Sequence, residues 1–96
     1  MIAILTNKLT DLIPNREDII IINSSVELVD DYHLKWNDNI IEFDYLIAFD
    51  QTFVQESNLP FVKDGQQIIT NWVGQTSIEN IYIGNFELAI DDLFNN

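Results

Sequence analysis

The stretch that decides the fold covers residues 32–43 and reads YHLKWNDNIIEF. Tyr32, Leu34 and Trp36 alternate with His33 and Lys35, which is the period-two pattern of a half-buried strand. The Asn-Asp-Asn run that follows is typical of a turn, and a second apolar alternation comes directly after it. The stretch therefore predicts an antiparallel hairpin.

Further apolar strands are predicted on both sides of this hairpin. Residues 45–49 form a nearly continuous apolar run after it, and residues 2–5 form another near the start of the chain. Residues 19–22 are four consecutive isoleucines without alternation, as in a strand that is covered on both faces. We expect this isoleucine strand to be the central strand of the sheet.

The C-terminal third predicts a second hairpin, a last strand and a helix. The Asp64-Gly65 pair lies between two apolar pairs, and glycine supplies the positive φ that a hairpin turn requires. Residues 81–83 form the last strand, and Asn85 is placed to cap a helix. The apolar positions of that helix recur at helical spacing: Phe86, Ala89, Ile90, Leu93 and Phe94.

Together these elements predict an α+β fold in a single domain, residues 1–96. We expect a small mixed sheet of about five to seven strands, with two hairpins and one C-terminal helix. Between Asn7 and Arg16, Pro14 leaves room for a turn or two at most. The predicted core consists of Ile4, Ile20, Ile22, Leu34, Phe43, Leu46, Ile47, Ile81, Ile83, Ile90 and Leu93.

Composition excludes several classes of function. The chain has 96 residues, 47% of them hydrophobic, which is enough for one modest core. It has no cysteine, so disulfides, thiol nucleophiles and thiolate metal sites are excluded, and a reducing cytoplasm fits this composition.

A net charge of −12 repels nucleic acid and anionic lipid. No apolar run reaches the roughly 18 residues of a membrane span. We expect a soluble cytoplasmic protein that binds neither nucleic acid nor membranes directly.

Two stretches resemble the FAD-dependent pyridine nucleotide-disulfide oxidoreductases, the thioredoxin-reductase-like flavoproteins. Residues 40–48, IIEFDYLIA, are similar to the strand that leads into that family's Ala-Thr-Gly turn. Residues 75–85, QTSIENIYIGN, are similar to its closing Thr-Ser-Ile-x-Asn-Ile-Tyr strand. The order also agrees, with residues 2–5 and 19–23 as the first two strands and residues 26–43 as the β-meander. The resemblance implies an FAD/NAD(P)-binding-like, Rossmann-related domain.

The residues that would hold a dinucleotide in that family are different in this chain. Where the resemblance implies a glycine-rich turn after the first strand, residues 6–9 read TNKL, so side chains obstruct the approach of a pyrophosphate. The Ala-Thr-Gly position holds Ala48-Phe49-Asp50, which adds bulk and negative charge, and the closing Gly-Asp is Gly84-Asn85. The family's redox Cys-x-x-Cys is absent. We therefore expect a reduced, non-catalytic relative without a bound cofactor.

Few residues in the sequence point to a specific site. No acid, base and nucleophile converge, so we expect no enzymatic activity. His33, the sole histidine, lies near Asp30 and Asp31, a pattern that suits a metal site but also an ordinary surface histidine on a hairpin. Trp72 stands in a polar stretch and is the tryptophan that we expect to be exposed as an interaction anchor.

Three functions of different class remain open. The first is a non-catalytic domain that acts through a protein partner or through homo-oligomer formation, because a small open sheet leaves edges to pair. The second is an acidic mimic of nucleic acid that inhibits a DNA- or RNA-binding protein. Its acids would form one stripe: Asp30, Asp31, Asp38, Glu42, Asp44 and Asp50. The third is nucleotide binding through an altered phosphate loop formed by Lys8, Gly74 and Gly84.

Overall fold

The computed structural model describes residues 1–8 and 11–95. Within these residues the chain forms ten strands, a 3₁₀ helix at Gln51–Val54 and one α-helix, α1, at Phe86–Asn95. The strands are β1 (Ile2–Leu5), β2 (Ile19–Ile22), β3 (Glu27–Asp30), β4 (His33–Trp36), β5 (Asn39–Glu42), β6 (Tyr45–Ala48), β7 (Glu56–Ser57), β8 (Lys63–Asp64), β9 (Gln67–Ile68) and β10 (Ile81–Ile83).

The strands form three sheets, so the prediction of one mixed sheet is wrong. The first sheet is entirely parallel, in the order β10-β6-β1-β2. The second has the order β5-β4-β3-β7, with the meander β3-β4-β5 antiparallel and β7 parallel to β3. The third is the hairpin β8-β9. The α+β class and the C-terminal helix are as expected.

The expected position of the isoleucine strand is also wrong. β2 lies at the edge of the parallel sheet, where Ile21 is 42% exposed, and β1 and β6 occupy the centre. A run of isoleucines indicates that side chains on both faces are apolar, but it does not indicate how many strands pair with that segment. The number of neighbouring strands is set by the tertiary arrangement.

Both predicted hairpins are present. In the first, Trp36 pairs with Asn39, and the two loop residues Asn37 and Asp38 have φ values of 50° and 63°. Two consecutive positive φ values define the mirror-image turn that matches the twist of paired strands. In the second hairpin Gly65 has a φ of 63°, which is the positive φ predicted for it.

The core lies on both faces of the parallel sheet. One face packs against the meander, where Leu28, Leu34 and Phe43 meet Leu46 and other buried side chains. The opposite face packs against α1 through a second, smaller cluster: Ile47, Val73, Tyr82, Ala89 and Ile90. Of the predicted core residues all are buried except Ile20 and Leu93, which are half-buried.

The C-terminal helix begins directly after Asn85, as predicted, but Asn85 acts differently from a side-chain cap. Its carbonyl accepts the N–H of Ala89 at 2.8 Å, and its side-chain amide donates to the carbonyl of Trp72 at 3.2 Å. The helix therefore starts from a residue that also fixes a neighbouring loop. Within the described residues, no helix is both long enough and apolar enough to cross a bilayer.

Candidate functional site

The carboxyl ends of the parallel strands are the place where open α/β sheets bind ligands. Here the chain's own side chains fill that place. The ring of Phe49, which follows β6, lies 5.5 Å from the ring of Phe86. The ammonium group of Lys8, beyond the end of β1, lies 5.2 Å from the centre of the Phe49 ring. Phe49 thus packs against another side chain of the same chain at this end of the sheet. Of residues 6–9, the structure describes Thr6, Asn7 and Lys8.

Gly74 and Gly84, the glycines considered for an altered phosphate loop, have their N–H groups bonded within the fold. The N–H of Gly74 donates to the carbonyl of Asn71 at 3.0 Å, and the N–H of Gly84 donates to the carbonyl of Ala48 at 3.0 Å. A cavity beside Gly84 has a volume of about 230 Å³. Small-molecule sites commonly measure about 300–1,000 Å³. Both amides are already hydrogen-bonded within the chain, and the cavity is smaller than most ligand sites, so neither favours the binding of a dinucleotide.

Trp72 is 74% exposed and stands on a short loop, residues 71–75, which we call the Trp72 loop. The side-chain oxygen of Asn71 accepts the N–H of Val73 at 3.1 Å and that of Gln75 at 2.9 Å. The side-chain amide of Asn71 donates to the side-chain oxygen of Gln75 at 3.2 Å. One asparagine thus organises the loop that carries the indole.

The Trp72 loop is also fixed to the elements beneath it. The N–H of Ile83 donates to the carbonyl of Gly74 at 2.8 Å, which joins the loop to β10. Gly74 has a φ of 83°, and a Cβ at this position would lie 2.5 Å from the carbonyl oxygen of Gly84. Val73 is buried against α1. The loop therefore holds its exposed tryptophan on a rigid base.

Asp30 and His33 form a local pair at the turn between β3 and β4. The carboxylate of Asp30 accepts the N–H of Tyr32 at 2.8 Å and lies 2.8 Å from Nδ1 of His33. The N–H of Tyr32, followed by His33, lowers the pKa of Asp30 below its ordinary value. Nε2 of His33 lies 3.7 Å from Glu42. Among the described residues, no three His, Asp or Glu side chains are grouped to hold a metal ion.

Asp31 and Asp44 lie at this same end of the molecule. The side-chain amide of Asn80 donates to both of their carbonyls, at 2.6 Å and 3.1 Å. Asp31 and Asp44 lie just before the amino ends of β4 and β6, and Asn80 holds these two ends together. Asp44 in addition lies 2.8 Å from the amino group of Met1.

Asp38 and Asp50 lie at the opposite end. Asp38 is in the turn after β4 and shares a cavity wall with Thr52. Asp50 follows β6, and its carboxylate accepts the N–H of Thr52 at 2.9 Å, which caps the 3₁₀ helix. The acids proposed for a single stripe thus fall into two groups at opposite ends of β4 and β6. Asp50 has a local structural role besides its charge.

A cleft of about 710 Å³, which no pattern in the sequence indicated, lies at the amino ends of the parallel strands. We call it the tyrosine cleft, because the chain's three tyrosines all line it. Its walls are formed by Ile2, Arg16, Asp18, Tyr32, Asp44, Tyr45, Gln75, Glu79, Asn80 and Tyr82. These residues are distant in sequence, and only the parallel register of β1, β6 and β10 brings them together.

Tyr82 forms the buried wall of the cleft. It is 4% exposed, and its hydroxyl donates to the carboxylate of Asp92 on α1 at 2.9 Å. Burial, then the hydrogen bond and the charge of Asp92, raise the pKa of Tyr82 to about 12. The phenol is therefore neutral across the physiological pH range.

Comparison with known proteins gives no relative for this chain. No protein-family model, no curated protein and no solved structure matches it.

Proposed function

We propose that this chain is a non-catalytic domain that acts by binding another protein, with Trp72 as its anchor. The observation that carries the proposal is a tryptophan that is 74% exposed on a loop fixed by the side chain of Asn71. Tryptophan is among the residues that most often dominate the energy of protein interfaces.

The rigidity of the Trp72 loop supports a binding role in energetic terms. A flexible loop loses conformational freedom when it docks, and this loss weakens binding. Here the hydrogen bonds of Asn71, the buried Val73 and the close contact of Gly74 with Gly84 fix the loop before any partner arrives. An indole in this setting presents a large apolar surface at low entropic cost.

We further propose that the fold is a reduced relative of the flavoprotein domain named above. The order of two parallel strands, a three-stranded meander and two more parallel strands supports this, as does the order β10-β6-β1-β2. Phe49, Phe86 and Lys8 occupy the carboxyl end of the sheet, which favours a role without a dinucleotide. Fold likeness alone does not carry a function.

The test of the main proposal compares two matched surface variants. Trp72→Ala removes the anchor, and Ile40→Ala removes an apolar side chain that is also exposed but lies on β5 in the second sheet. Tagged wild type and both variants are recovered from the native cell at equal expression, and bound proteins are quantified by mass spectrometry. We expect one partner that is lost with Trp72→Ala and retained with Ile40→Ala.

The affinity for that partner is then measured with purified proteins. A dominant anchor contributes about 2 kcal/mol or more, so we expect Trp72→Ala to weaken binding by about 30-fold. Equal recovery and equal affinity for wild type and Trp72→Ala would contradict the proposal. Thermal unfolding of each variant verifies that the fold is intact.

Self-association through β2 is a second candidate with its own observation. β2 is the edge strand of the parallel sheet, and Ile21 on it is exposed. The other edge, β10, is covered, since the N–H of Thr76 donates to the carbonyl of Ile81 at 3.0 Å. Antiparallel pairing of two β2 strands would place each acidic start, residues 17–18, beside the neutral residues 23–25 of the other copy.

Light scattering on the purified chain tests this second candidate. We expect a dimer that Ile21→Lys converts to a monomer, because a charge on the edge opposes strand pairing. Ile40→Lys on the edge strand β5 is the matched control and should leave the dimer intact. A wild-type monomer at all concentrations would exclude self-association.

A further inference from the structure

We propose that the tyrosine cleft binds an organic cation whose charge is carried by an alkylammonium or guanidinium group. This site differs from the anchor of the proposed protein contact. The carbonyl of Trp72 accepts a hydrogen bond from the side chain of Asn85, beyond the carboxyl end of β10, whereas the cleft lies at the amino ends of the strands. Gln75 is the residue of the Trp72 loop that also lines the cleft. Trp72 itself does not line the cleft, so Trp72→Ala tests the protein contact without altering the cation site.

The aromatic lining is the first argument. Tyr32 is 53% exposed and Tyr45 is 41% exposed, so both offer ring surface to a bound molecule, while Tyr82 forms the wall behind them. The faces of aromatic rings attract ammonium and guanidinium groups, and several rings around one space are a recurrent way to bind alkylated ammonium. No tyrosine of the chain lies elsewhere.

The charge of the lining is the second argument. Three carboxylates line the cleft, those of Asp18, Asp44 and Glu79, against one cation, Arg16. Asp18 neutralises Arg16 through two hydrogen bonds, at 3.0 Å and 2.6 Å. Asp44 pairs with an amino group, whereas Glu79 is exposed and makes no ion pair with any residue that the structure describes. We assign Glu79 as the partner of the ligand's charge.

The same contacts argue against an anion or a metal ion in the cleft. Arg16 is held by Asp18 and lies over the ring of Phe94 at 5.2 Å, so its guanidinium is not directed to an incoming phosphate or carboxylate. A metal ion needs several carboxylate or imidazole ligands within one small shell, and no such group occurs among residues 1–8 and 11–95. Rings and carboxylates dispersed over a wide cleft suit a larger and softer cation.

The cleft is also preformed and large enough. The amide of Asn80 bonds the carbonyls of Asp31 and Asp44, which fixes the rim between the meander and the parallel sheet. The bond from Tyr82 to Asp92 fixes the wall. A volume of about 710 Å³ falls within the usual range of ligand sites and admits a polyamine or an extended side chain.

The tyrosines themselves provide the assay. In a sample with isotope-labelled tyrosine and phenylalanine rings, all tyrosine signals report on the cleft. The phenylalanines other than Phe94, whose ring lies under the cleft residue Arg16, serve as an internal reference. Two probes are titrated: spermidine, a free polyamine, and N-acetyl-arginine amide, which mimics a side chain presented by a protein. Salt at about 0.15 M limits the range of electrostatic interactions to about 8 Å and so suppresses diffuse attraction by the acidic surface.

We expect saturable shifts of the tyrosine signals with at least one probe, and the tighter probe identifies the source of the cation. Tyr45→Leu should weaken binding about fivefold, since one cation–π contact contributes about 1 kcal/mol. Glu79→Gln should weaken it by a similar factor. Glu56→Gln, which makes the same change of charge on β7 in the second sheet, should leave the affinity unchanged.

Three results would overturn the proposal: no saturable tyrosine shift with either probe up to millimolar concentration, equal phenylalanine and tyrosine shifts, or equal losses for Glu79→Gln and Glu56→Gln. The last two would mean that the cations respond only to the overall charge. Tyr32→Leu provides a second aromatic variant, at a position that is 53% exposed.

Discussion

Substitution of Gly74 by alanine tests whether the Trp72 loop is fixed by close backbone contact. Gly74 has a φ of 83°, a conformation that costs an alanine about 1–2 kcal/mol. A Cβ at this position would in addition lie 2.5 Å from the carbonyl oxygen of Gly84 and 3.2 Å from that of Ile83. Both contacts are with main-chain atoms, so no side chain can move aside to relieve them.

The steric contribution is isolated by a matched substitution. Gly65 has a φ of 63°, but a Cβ there would meet no atom within 4 Å. Gly65→Ala therefore carries only the conformational cost, about 1 kcal/mol. Forcing a methyl group into a filled space typically costs about 1–3 kcal/mol more, so we expect about 3 kcal/mol for Gly74→Ala. Gly84→Ala, with a φ of 75° and open space, should behave like Gly65→Ala.

Urea unfolding of the three variants measures these costs directly, and thermal unfolding gives a second estimate. For a domain of this size, a difference of about 2 kcal/mol corresponds to about 8–16 °C in Tm. We also expect Gly74→Ala to increase the mobility of Trp72, because the alanine disrupts the junction with β10. In a Trp36→Phe background, where Trp72 is the remaining tryptophan, this is seen as lower fluorescence anisotropy. If Gly74→Ala destabilised the chain no more than Gly65→Ala, the loop would not be fixed in the way that we describe.

Three further predictions concern other contacts. The pKa of Tyr82 is about 12 in the folded chain and about 10 in the unfolded chain, so the neutral phenol stabilises the fold fully below pH 10 and this stabilisation is lost as the pH rises to 12. Between pH 10 and 12, the free energy of unfolding measured in urea should fall by about 2 kcal/mol more for wild type than for Tyr82→Phe. Asp50→Ala removes the cap on Thr52 and should cost about 1 kcal/mol in thermal unfolding, whereas Asp50→Asn, which keeps the acceptor without the charge, should cost little. Asn80→Ala removes donors to two carbonyls and should cost about 1–2 kcal/mol by the same measurement, and an unchanged Tm would show that these bonds do not stabilise the junction.

Local chemistry made several elements predictable. The turns at Asn37-Asp38 and at Gly65 could be read from the sequence, because positive φ values restrict the residue types that are found there. The C-terminal helix could be read from its apolar spacing, which agrees with the buried positions Ala89 and Ile90. Most of the core was predictable for the same reason, since burial follows from the apolar pattern of each segment.

The arrangement of the strands and the candidate sites depend on contacts between distant segments. The isoleucines of β2 indicate two apolar faces, yet hydrogen bonding between strands leaves β2 at an edge and places β6 in the centre. Likewise Asn71 gives no sequence signal for the loop that it organises, and the exposure of Trp72 depends on how that loop joins β10.

The sequence by itself determined the class of fold, the two hairpin turns, the terminal helix and the lack of glycine in residues 6–9 after the first strand, because each depends on the conformational and steric properties of a few adjacent residues. The tertiary structure alone decided that there are three sheets, that Phe49 and Phe86 close the carboxyl end, and that three tyrosines share one cleft. The physical reason is that side chains from parallel strands become neighbours through the register between strands, and that register is set by packing of the whole core.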